Sequence, residues 1–253
     1  MGSDVGQKTE QAHWDATWQP SIRMRLPSRL NVDVLNLTRL LRRHVNPGSR
    51  YLEVGCAPGK LLAWVAAVLK AETWGIDYSD TGIAHCRALF DALKLNVELR
   101  HDDFFDHHLP YGSYDVVSSF GFAEHFDNVA LVVQRHLDLV KPGGIALITI
   151  PNFGGLYGRL QRWCDPALLA LHNLNIMNTH ALGLLAYSRD AQSVRAYKSG
   201  NVSAWRFTLD RRIPKAVAQA VFLGVNAVGL LQPAIIGFLA PMLVLEVTKK
   251  GFP

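Results

Sequence analysis

The sequence predicts an α/β fold in which a doubly wound parallel sheet carries helices on both faces. Short apolar segments alternate with amphipathic helical segments through residues 51–151, an alternation typical of a parallel sheet. Apolar residues make up 49% of the 253 residues and charged residues 19%, which excludes the disordered and fibrous classes and is enough for one large core. We therefore expect a single domain over residues 1–253.

Four helices and five strands are predicted up to residue 151, from hydrophobic period, capping residues and turn signals. The predicted helices cover Asn31–Val45, Lys60–Leu69, a segment that begins after the N-cap Ser79, and Asn128–Val140, which should stop at Lys141–Gly144. The predicted strands cover Tyr51–Val54, Thr73–Asp77, Val97–His101, Tyr114–Ser119 and Ile145–Pro151.

The core is expected at residues 31–152, and the segments on either side of it are expected to shape a substrate pocket. Residues 1–30 carry Trp14 and Trp18 and would form an N-terminal arm or lid. Residues 153–253 would supply helical insertions over the pocket and the last two strands. These elements are expected at Phe153–Leu185, Ser193–Tyr197 and Met242–Thr248.

Residues 216–245 contain no charged side chain and are long enough to cross a bilayer. Pro233 and Pro241 divide this run into a helix-length piece and a strand-length piece. We therefore expect Lys215–Leu231, which follows Pro214, to be a buried or half-buried helix of the core. Peripheral membrane contact is the less favoured alternative.

Charge and cysteine content bound the partners and the compartment. The net charge of +5 permits an anionic partner or a membrane surface without requiring either. Cys56, Cys86 and Cys164 are too few and too scattered for a disulfide framework or a zinc site, so we expect no metal and a reduced, cytoplasmic protein. The first residues lack the apolar stretch of a secretory signal. The expected partner is a small molecule and not a nucleic acid, and the oligomeric state stays open.

A glycine-containing turn over Glu53–Lys60 follows the first predicted strand. Glycines at Gly55 and Gly59 let the backbone approach a ligand at the carboxyl end of a strand. The turn has neither the GxGxxG spacing of a dinucleotide site nor the GK[ST] of a phosphate-binding loop, because Leu61 follows Lys60. By itself the turn is a weak signal.

Acidic residues follow the second and third predicted strands. Asp77 ends the second strand, where a carboxylate can accept hydrogen bonds from both hydroxyls of a ribose; the alternative is a helix-capping or solvent-facing side chain. Asp102, Asp103 and Phe104 follow the third strand, where a carboxylate can bind an adenine amino group while a ring packs on the base.

The series LEVGCAPGK, GIDYS, HDDFF, YDVVSSFGFAEHF and LVKPGGIALITIPN resembles the class I methyltransferases that use S-adenosylmethionine (SAM). The resemblance covers about Tyr51–Asn152. It implies a Rossmann-like sheet of about seven strands with the last strand antiparallel. It also implies SAM as the cofactor and S-adenosylhomocysteine as the product.

The same resemblance implies the residues that hold SAM. Gly55, Cys56, Ala57, Pro58 and Gly59 would wrap the methionine part, and Glu53 would orient this loop. The family often has ExGxGxG here, so that Ala57 replaces the middle glycine. The ribose and adenine would lie against Asp77, Tyr78, Asp102, Asp103 and Phe104, and the methionine amino group near Phe120.

Glu124 and His125 follow the fourth predicted strand and are the candidate catalytic residues. The pKa of an unperturbed histidine suits proton removal near neutral pH. The dipeptide resembles the Glu-His pair of quinone-type O-methyltransferases and cyclopropane-fatty-acid synthases. The alternative for His125 is a hydrogen-bonded residue that shapes the loop, and His172 and His180 are expected to be structural.

These features predict a methyltransferase that acts on a hydroxyl oxygen of a small molecule. Alternatives are N- or C-methylation of an apolar or lipid-like acceptor, a non-catalytic SAM-binding protein, and a nicotinamide-nucleotide module, which the first loop disfavours. The tetrad [DN]PP[YF] is missing after the fourth strand, where Ser118–Gly121 stands, so amino methylation of nucleic-acid bases is not expected.

Overall fold

Seven strands form one sheet in the computed structural model, which describes residues 5–18, 23–187, 190–204 and 207–251. The strand order is β3-β2-β1-β4-β5-β7-β6. Neighbours from β3 to β5 run parallel, whereas β7 is antiparallel to both β5 and β6. The predicted doubly wound sheet with an antiparallel last strand is therefore confirmed. The strands are β1 Arg50–Val54, β2 Glu72–Asp77, β3 Glu98–His101, β4 Tyr114–Phe120, β5 Val140–Pro151, β6 Ala191–Ser199 and β7 Met242–Lys249.

Helices connect the strands and cover the sheet, as the alternating pattern predicted. The expected Ser79 cap is present, since its side chain accepts a hydrogen bond from the amide of Gly82 at 3.0 Å. Helix α3 continues as a π-helical turn over Val65–Leu69. The α-helices are α1 Gln11–Thr17, α2 Val32–Leu41, α3 Lys60–Trp64, α4 Asp80–Leu93, α5 Val129–Leu139, α6 Leu156–Cys164, α7 Pro166–Ala170, α8 Thr179–Leu184 and α9 Lys215–Leu231.

The core lies on both faces of the sheet because successive strand residues point to opposite sides. In β5, Ala146 and Ile148 belong to the cluster that packs against α5, whereas Leu147 belongs to the cluster that packs against α2, α3 and α4. In β1, Leu52 belongs to the first of these clusters and Tyr51 to the second. The central strands are thus buried on both sides, and their carboxyl ends meet at one edge.

Two predicted boundaries are wrong. Lys141–Gly144 is the start of β5 and not a loop, because Val140 pairs with Tyr114 of β4 and a bulge absorbs the extra residues. Helix α2 ends at Leu41 and not at Val45. Its chain enters a turn there, and the side chain of His44 reaches Glu246 of β7 at 3.0 Å.

Helix α9 has the predicted bounds but not the predicted burial. Within this helix only Ala218 and Gly229 are buried, and five of its large apolar side chains are exposed: Val217, Val221, Leu223, Val228 and Leu231. The expectation of a buried core helix is therefore wrong, whereas Phe222, Val225, Asn226 and Leu230 are partly buried on one side of α9. In the described ranges no helix is both long and apolar enough to cross a membrane.

Candidate active site

A cleft of about 800 Å³, including its open mouth, lies at the carboxyl ends of β1, β2 and β4. Ligands bind at this edge in open α/β sheets. The walls come from the loops after these strands and after β3, with the N-terminal arm on top. They bring together the sequence-predicted residues Gly55, Ala57, Asp77, Tyr78, Asp102, Asp103, Phe104, Phe120 and His125.

The turn after β1 presents its backbone to the cleft. Gly55 has φ +67°, in the left-handed region, and a Cβ there would lie 2.9 Å from the ring of Phe122. The amides of Gly55 and Cys56 donate to the carbonyl of Ile76 at 2.9 and 3.2 Å, which fixes the turn on β2. A side chain at position 55 would therefore both strain the turn and narrow the cleft.

Four residues expected around the cofactor do not line the cleft. Cys56 points into the core beside Cys86 and Gly75, and Gly59 caps α3 against Cys86. Pro58 lies between Cys56 and Gly59 in the sequence. Glu53 is buried under the turn, where its carboxyl accepts a hydrogen bond from the hydroxyl of Tyr51 at 3.3 Å.

Glu53 is a neutral supporting group at neutral pH. Burial raises the pKa of Glu53 to about 8, with a smaller contribution of the same sign from Asp77. The Tyr51 hydroxyl also bonds the hydroxyl of Ser118 in β4 at 2.6 Å. Glu53 therefore joins β1 and β4 beneath the turn through Tyr51.

Asp77 ties the turn after β1 to the start of α4. Its Oδ2 accepts from the amide of Ala57 at 2.9 Å, and its Oδ1 accepts from the amide of Ser79 at 3.0 Å. Burial raises the pKa of Asp77, and these two amides oppose the rise. Each carboxylate oxygen can accept a second bond. The helix cap is Ser79, so that Asp77 keeps acceptor capacity toward the cleft.

The loop after β3 forms the far end of the cleft. Asp102 and Asp103 accept hydrogen bonds from the amides of Asp103 and Phe105 at 3.0 and 2.9 Å, which fix the loop. Phe104 is buried and packs edge-to-face on Phe122, with ring centroids 5.6 Å apart. The two aspartates give this end of the cleft a polar rim, and Phe104 with Phe122 gives it an aromatic wall.

The N-terminal arm supplies wall residues that no motif indicated. Gln7 donates to the hydroxyl of Tyr78 at 2.8 Å, and that hydroxyl donates to the carbonyl of Thr9 at 3.3 Å. Burial raises the pKa of Tyr78 to about 12, so that the phenol stays protonated. Trp14 and Trp18 stack with centroids 6.3 Å apart and line the cleft.

His125 is buried in the cleft wall and uncharged at neutral pH. Its Nδ1 lies 3.1 Å from the carbonyl oxygen of Leu171, which requires Nδ1 to carry the proton and leaves Nε2 with a lone pair. Burial lowers the pKa of His125 to about 4, and the neighbouring His172 adds to this. The edge of Trp14 lies against the ring, with centroids 5.1 Å apart.

Glu124 and His172 complete a polar cluster around His125. The imidazole rings of His125 and His172 lie 4.9 Å apart, and Nδ1 of His172 donates to the carbonyl of Leu168 at 2.9 Å. Glu124 is buried outside the cleft wall, and its carbonyl accepts from the amide of Asn173 at 2.7 Å. His180 is exposed on α8.

Among the described residues, Glu124, His125 and His172 are the group that could hold a metal ion. One potential ligand atom from each lies within 4.8 Å of the other two. Two imidazoles and a carboxylate suit zinc or a similar divalent ion.

Comparison with known proteins places these observations in a family. A family model described as a methyltransferase domain matches residues 29–192. A ubiquinone biosynthesis O-methyltransferase from Burkholderia vietnamiensis is 36% identical over 107 residues, 42% of this chain and 45% of that protein. A probable fatty acid methyltransferase from Pseudomonas putida is 28% identical over 197 residues, 72% of this chain and 49% of that protein. The chain spans less than half the length of the curated relatives it matches.

A solved structure shares the fold. Haemonchus contortus phosphoethanolamine N-methyltransferase 2, in complex with phosphomonomethylethanolamine and S-adenosylhomocysteine, superposes with a TM-score of 0.61 at 16% identity. The superposition covers 85% of this chain and 52% of that chain. At this identity the likeness concerns the architecture and not the acceptor.

Proposed function

Because this chain belongs to the class I SAM-dependent methyltransferases, as the sequence resemblance implied, we propose that it methylates a hydroxyl oxygen of a small molecule. The observation that carries the oxygen assignment is His125. A hydroxyl nucleophile gains most from a nearby base, and His125 lies in the cleft wall, neutral, with Nδ1 bound to Leu171 and Nε2 open. The proposal makes Nε2 the proton acceptor.

We place SAM along the wall formed by the turn after β1, Asp77 and the loop after β3. The residues fit such a molecule. The bare backbone at Gly55 leaves room that a Cβ would fill, and the Asp77 carboxylate can accept from two ribose hydroxyls. Asp103 and Phe104 stand where an adenine would meet a polar group and a ring. Phe120 lies at the methionine end.

The chain's own residues then position the acceptor and remove its proton. SAM would supply an electrophilic methyl group, which passes to the acceptor oxygen as S-adenosylhomocysteine leaves. Aromatic side chains, among them Trp14, Phe122 and Phe126, exclude water around the acceptor site. His125 takes the hydroxyl proton, and Glu124 and His172 hold its surroundings. No metal takes part in this scheme.

The low pKa of His125 makes it a weak base, which bears on the acceptor. Proton transfer from an alkyl hydroxyl to such a base is steeply uphill, whereas a phenol or enol loses its proton more readily. We therefore expect phenolic or enolic acceptors. The Glu-His dipeptide and the ubiquinone O-methyltransferase relative support the same choice.

The second candidate is methylation of an apolar or lipid-like acceptor. The relative described as a probable fatty acid methyltransferase matches over 72% of this chain, and the cleft wall near His125 is mostly aromatic. This candidate does not need a base for a hydroxyl. It differs from the first in the atom that receives the methyl group.

A screen with methyl-labelled SAM over phenols, alcohols, amines and unsaturated fatty acids tests the proposal. We expect label on the oxygen of a phenol or enol. His125→Gln should lower that turnover by about 10²- to 10⁴-fold, the usual contribution of a general base. The exposed His180 gives the matched control, so His180→Gln should keep wild-type turnover.

Two outcomes of this screen oppose the proposal. Label on nitrogen or carbon would favour the second candidate. Full turnover in His125→Gln would show that His125 is not the base. Activity that is lost in EDTA and restored by a divalent ion would instead assign the Glu124–His125–His172 cluster to a metal.

A further inference from the structure

Helix α9 and the loop after it present an apolar surface to solvent. We call this surface the α9 face. Leu223 is 66% exposed, Leu231 83% and Phe238 67%. Contiguous apolar patches of this kind are rare on soluble monomers and mark interaction sites. The face consists of Val217, Val221, Leu223, Val228, Leu231, Ile235, Ile236 and Phe238.

The polarity of α9 is inverted relative to a water-facing helix. Its Asn226 turns inward, accepting from the amide of Val32 at 2.9 Å and donating to the carbonyl of Leu30 at 2.8 Å. Gln232, just after the helix, accepts from the amide of Val202 at 2.9 Å. An amphipathic helix in water places such groups outside and apolar groups inside. Here Asn226 and Gln232 fasten the helix to the protein, while Val217, Val221, Leu223, Val228 and Leu231 are exposed.

Basic side chains flank the N-terminal end of the α9 face. Lys215 begins the helix. Arg211 ends the 3₁₀ turn Leu209–Arg211, which contacts the helix, and Arg212 follows this turn. Arg159 and Arg162 are exposed on α6, which contacts the same turn. The acidic neighbours are fewer. Asp165 is buried and pairs with Arg211 at 3.2 Å, so that Asp210 is the exposed one.

An aromatic side chain stands at the boundary between the charged and apolar parts. Trp163 is 53% exposed, and its carbonyl accepts from Nε of Arg212 at 2.6 Å. Tryptophan, arginine and lysine beside an uncharged helix face are the pattern of an element that lies in the headgroup region of a bilayer.

We propose that the α9 face docks the protein on the surface of a bilayer that contains anionic lipids. The flanking cations complement anionic headgroups, and the apolar side chains enter the boundary between headgroups and acyl chains. A second copy of this chain is the weaker occupant, because it would add its own net charge of +5 to the same basic flank. The docking is peripheral, since α9 in its described length is too short to span.

The fold places this surface at the same edge as the cleft. Met242, which starts β7, pairs with Pro151 at the carboxyl end of β5, and the amide of Asn152 donates to the carbonyl of Pro241 at 2.9 Å. The loop over residues 233–241 therefore lies at the edge where the carboxyl ends of β1, β2 and β4 open into the cleft. Docking would hold that edge toward the lipid.

Flotation with vesicles tests the proposal without any acceptor. The full chain should float with vesicles of phosphatidylcholine and phosphatidylglycerol in equal parts and float less with phosphatidylcholine alone. In the double variant Leu223→Asp, Val228→Asp, the partition coefficient onto these vesicles should fall about tenfold or more. The reason is that two apolar side chains that leave water on docking have been replaced by charged ones. Tyr111→Asp is the matched control: Tyr111 is 60% exposed in the loop before β4, at the opposite edge of the sheet, and should float like wild type.

Arg159→Gln with Arg162→Gln should weaken flotation on the anionic vesicles only. Equal SAM affinity and circular dichroism in all variants establish that they are folded. Failure of the folded wild type to float, or equal flotation of the double aspartate variant, would overturn the proposal. A dimer in light scattering that the aspartates dissociate, without flotation, would overturn it in favour of a second copy.

Discussion

Burial decides what chemistry His125 can perform. The enclosed position of the ring, together with His172, lowers the pKa of His125 to about 4, so that the imidazole is neutral over the physiological range. The bond from Nδ1 to Leu171 fixes which nitrogen accepts a proton. The same burial that makes the base always available also makes it weak, and this is why the proposed acceptor is an acidic hydroxyl.

The pH dependence of turnover tests this assignment. A base with a lowered pKa is unprotonated above that pKa and is lost only as the pH falls through it. We expect turnover per SAM-saturated enzyme to be flat from pH 7 to about 5 and to fall near pH 4, the pKa of His125. His125→Gln should remove this acid limb. A midpoint near 6.5, the ordinary histidine value, would assign proton removal to another group.

Single residues were predictable where a strand end fixed their position. Asp77 ends a strand, Asp103 and His125 each follow one, and all three lie in the cleft wall. The direction of the side chains of Cys56 and Glu53 was not predictable. Cys56 packs with Cys86 and Glu53 bonds to Tyr51, and both side chains therefore lie away from the cleft. Wall residues such as Gln7 and Thr9 belong to no motif and reach the cleft only through tertiary contacts.

Residues 5–18 of the N-terminal arm are fastened beside the cleft at two points. Their backbone pairs with the segment after β4, where the amide of Lys8 donates to the carbonyl of His125 at 2.8 Å. Helix α1 is fastened at a second point, because Asp15 accepts from the hydroxyl of Ser79 at 2.6 Å and from the amide of Thr81 at 3.4 Å. The first attachment is to His125 in the cleft wall and the second lies just after Asp77 and Tyr78, so we expect residues 5–18 to form a roof over the cleft.

Asp15→Ala should loosen this roof. Losing a charged hydrogen bond costs about 1.5–3 kcal/mol, so we expect SAM to dissociate about tenfold faster or more, with the affinity reduced accordingly. Stopped-flow tryptophan fluorescence can follow release, because Trp14 and Trp18 line the cleft. Thr17→Ala, which removes an exposed bond within α1, should leave the rate unchanged. An unchanged rate in Asp15→Ala would show that the arm does not gate the cleft.

Elements were predictable from period and turn signals, and their environment was not. Lys215–Leu231 was bounded correctly by Pro214 and the apolar run. Its exposure escaped prediction because an apolar composition does not say which stripe packs, and in α9 small residues such as Ala218 and Gly229 face the protein. Lys141–Gly144 was misplaced because pairing of Val140 with Tyr114 overrides the turn signal of its glycines.

At the scale of the whole molecule, the parallel sheet gathers the site. Loops that are far apart in sequence, after β1, β2, β3 and β4, meet at one edge because their strands run in the same direction. The alternation of strands and helices predicted that arrangement. This alternation predicts neither the exposed surface of α9 nor the identity of the acceptor, since both depend on side chains outside the repeating pattern.

Calorimetric titration of SAM into wild type and Asp77→Ala tests most directly that this cleft holds the cofactor. Asp77 would accept from the ribose and also fixes Ala57 and Ser79, so the variant should lose about ten- to a hundredfold or more in affinity. Asp91→Ala, an exposed aspartate on α4, should bind like wild type. Unchanged affinity in folded Asp77→Ala would contradict the placement of SAM.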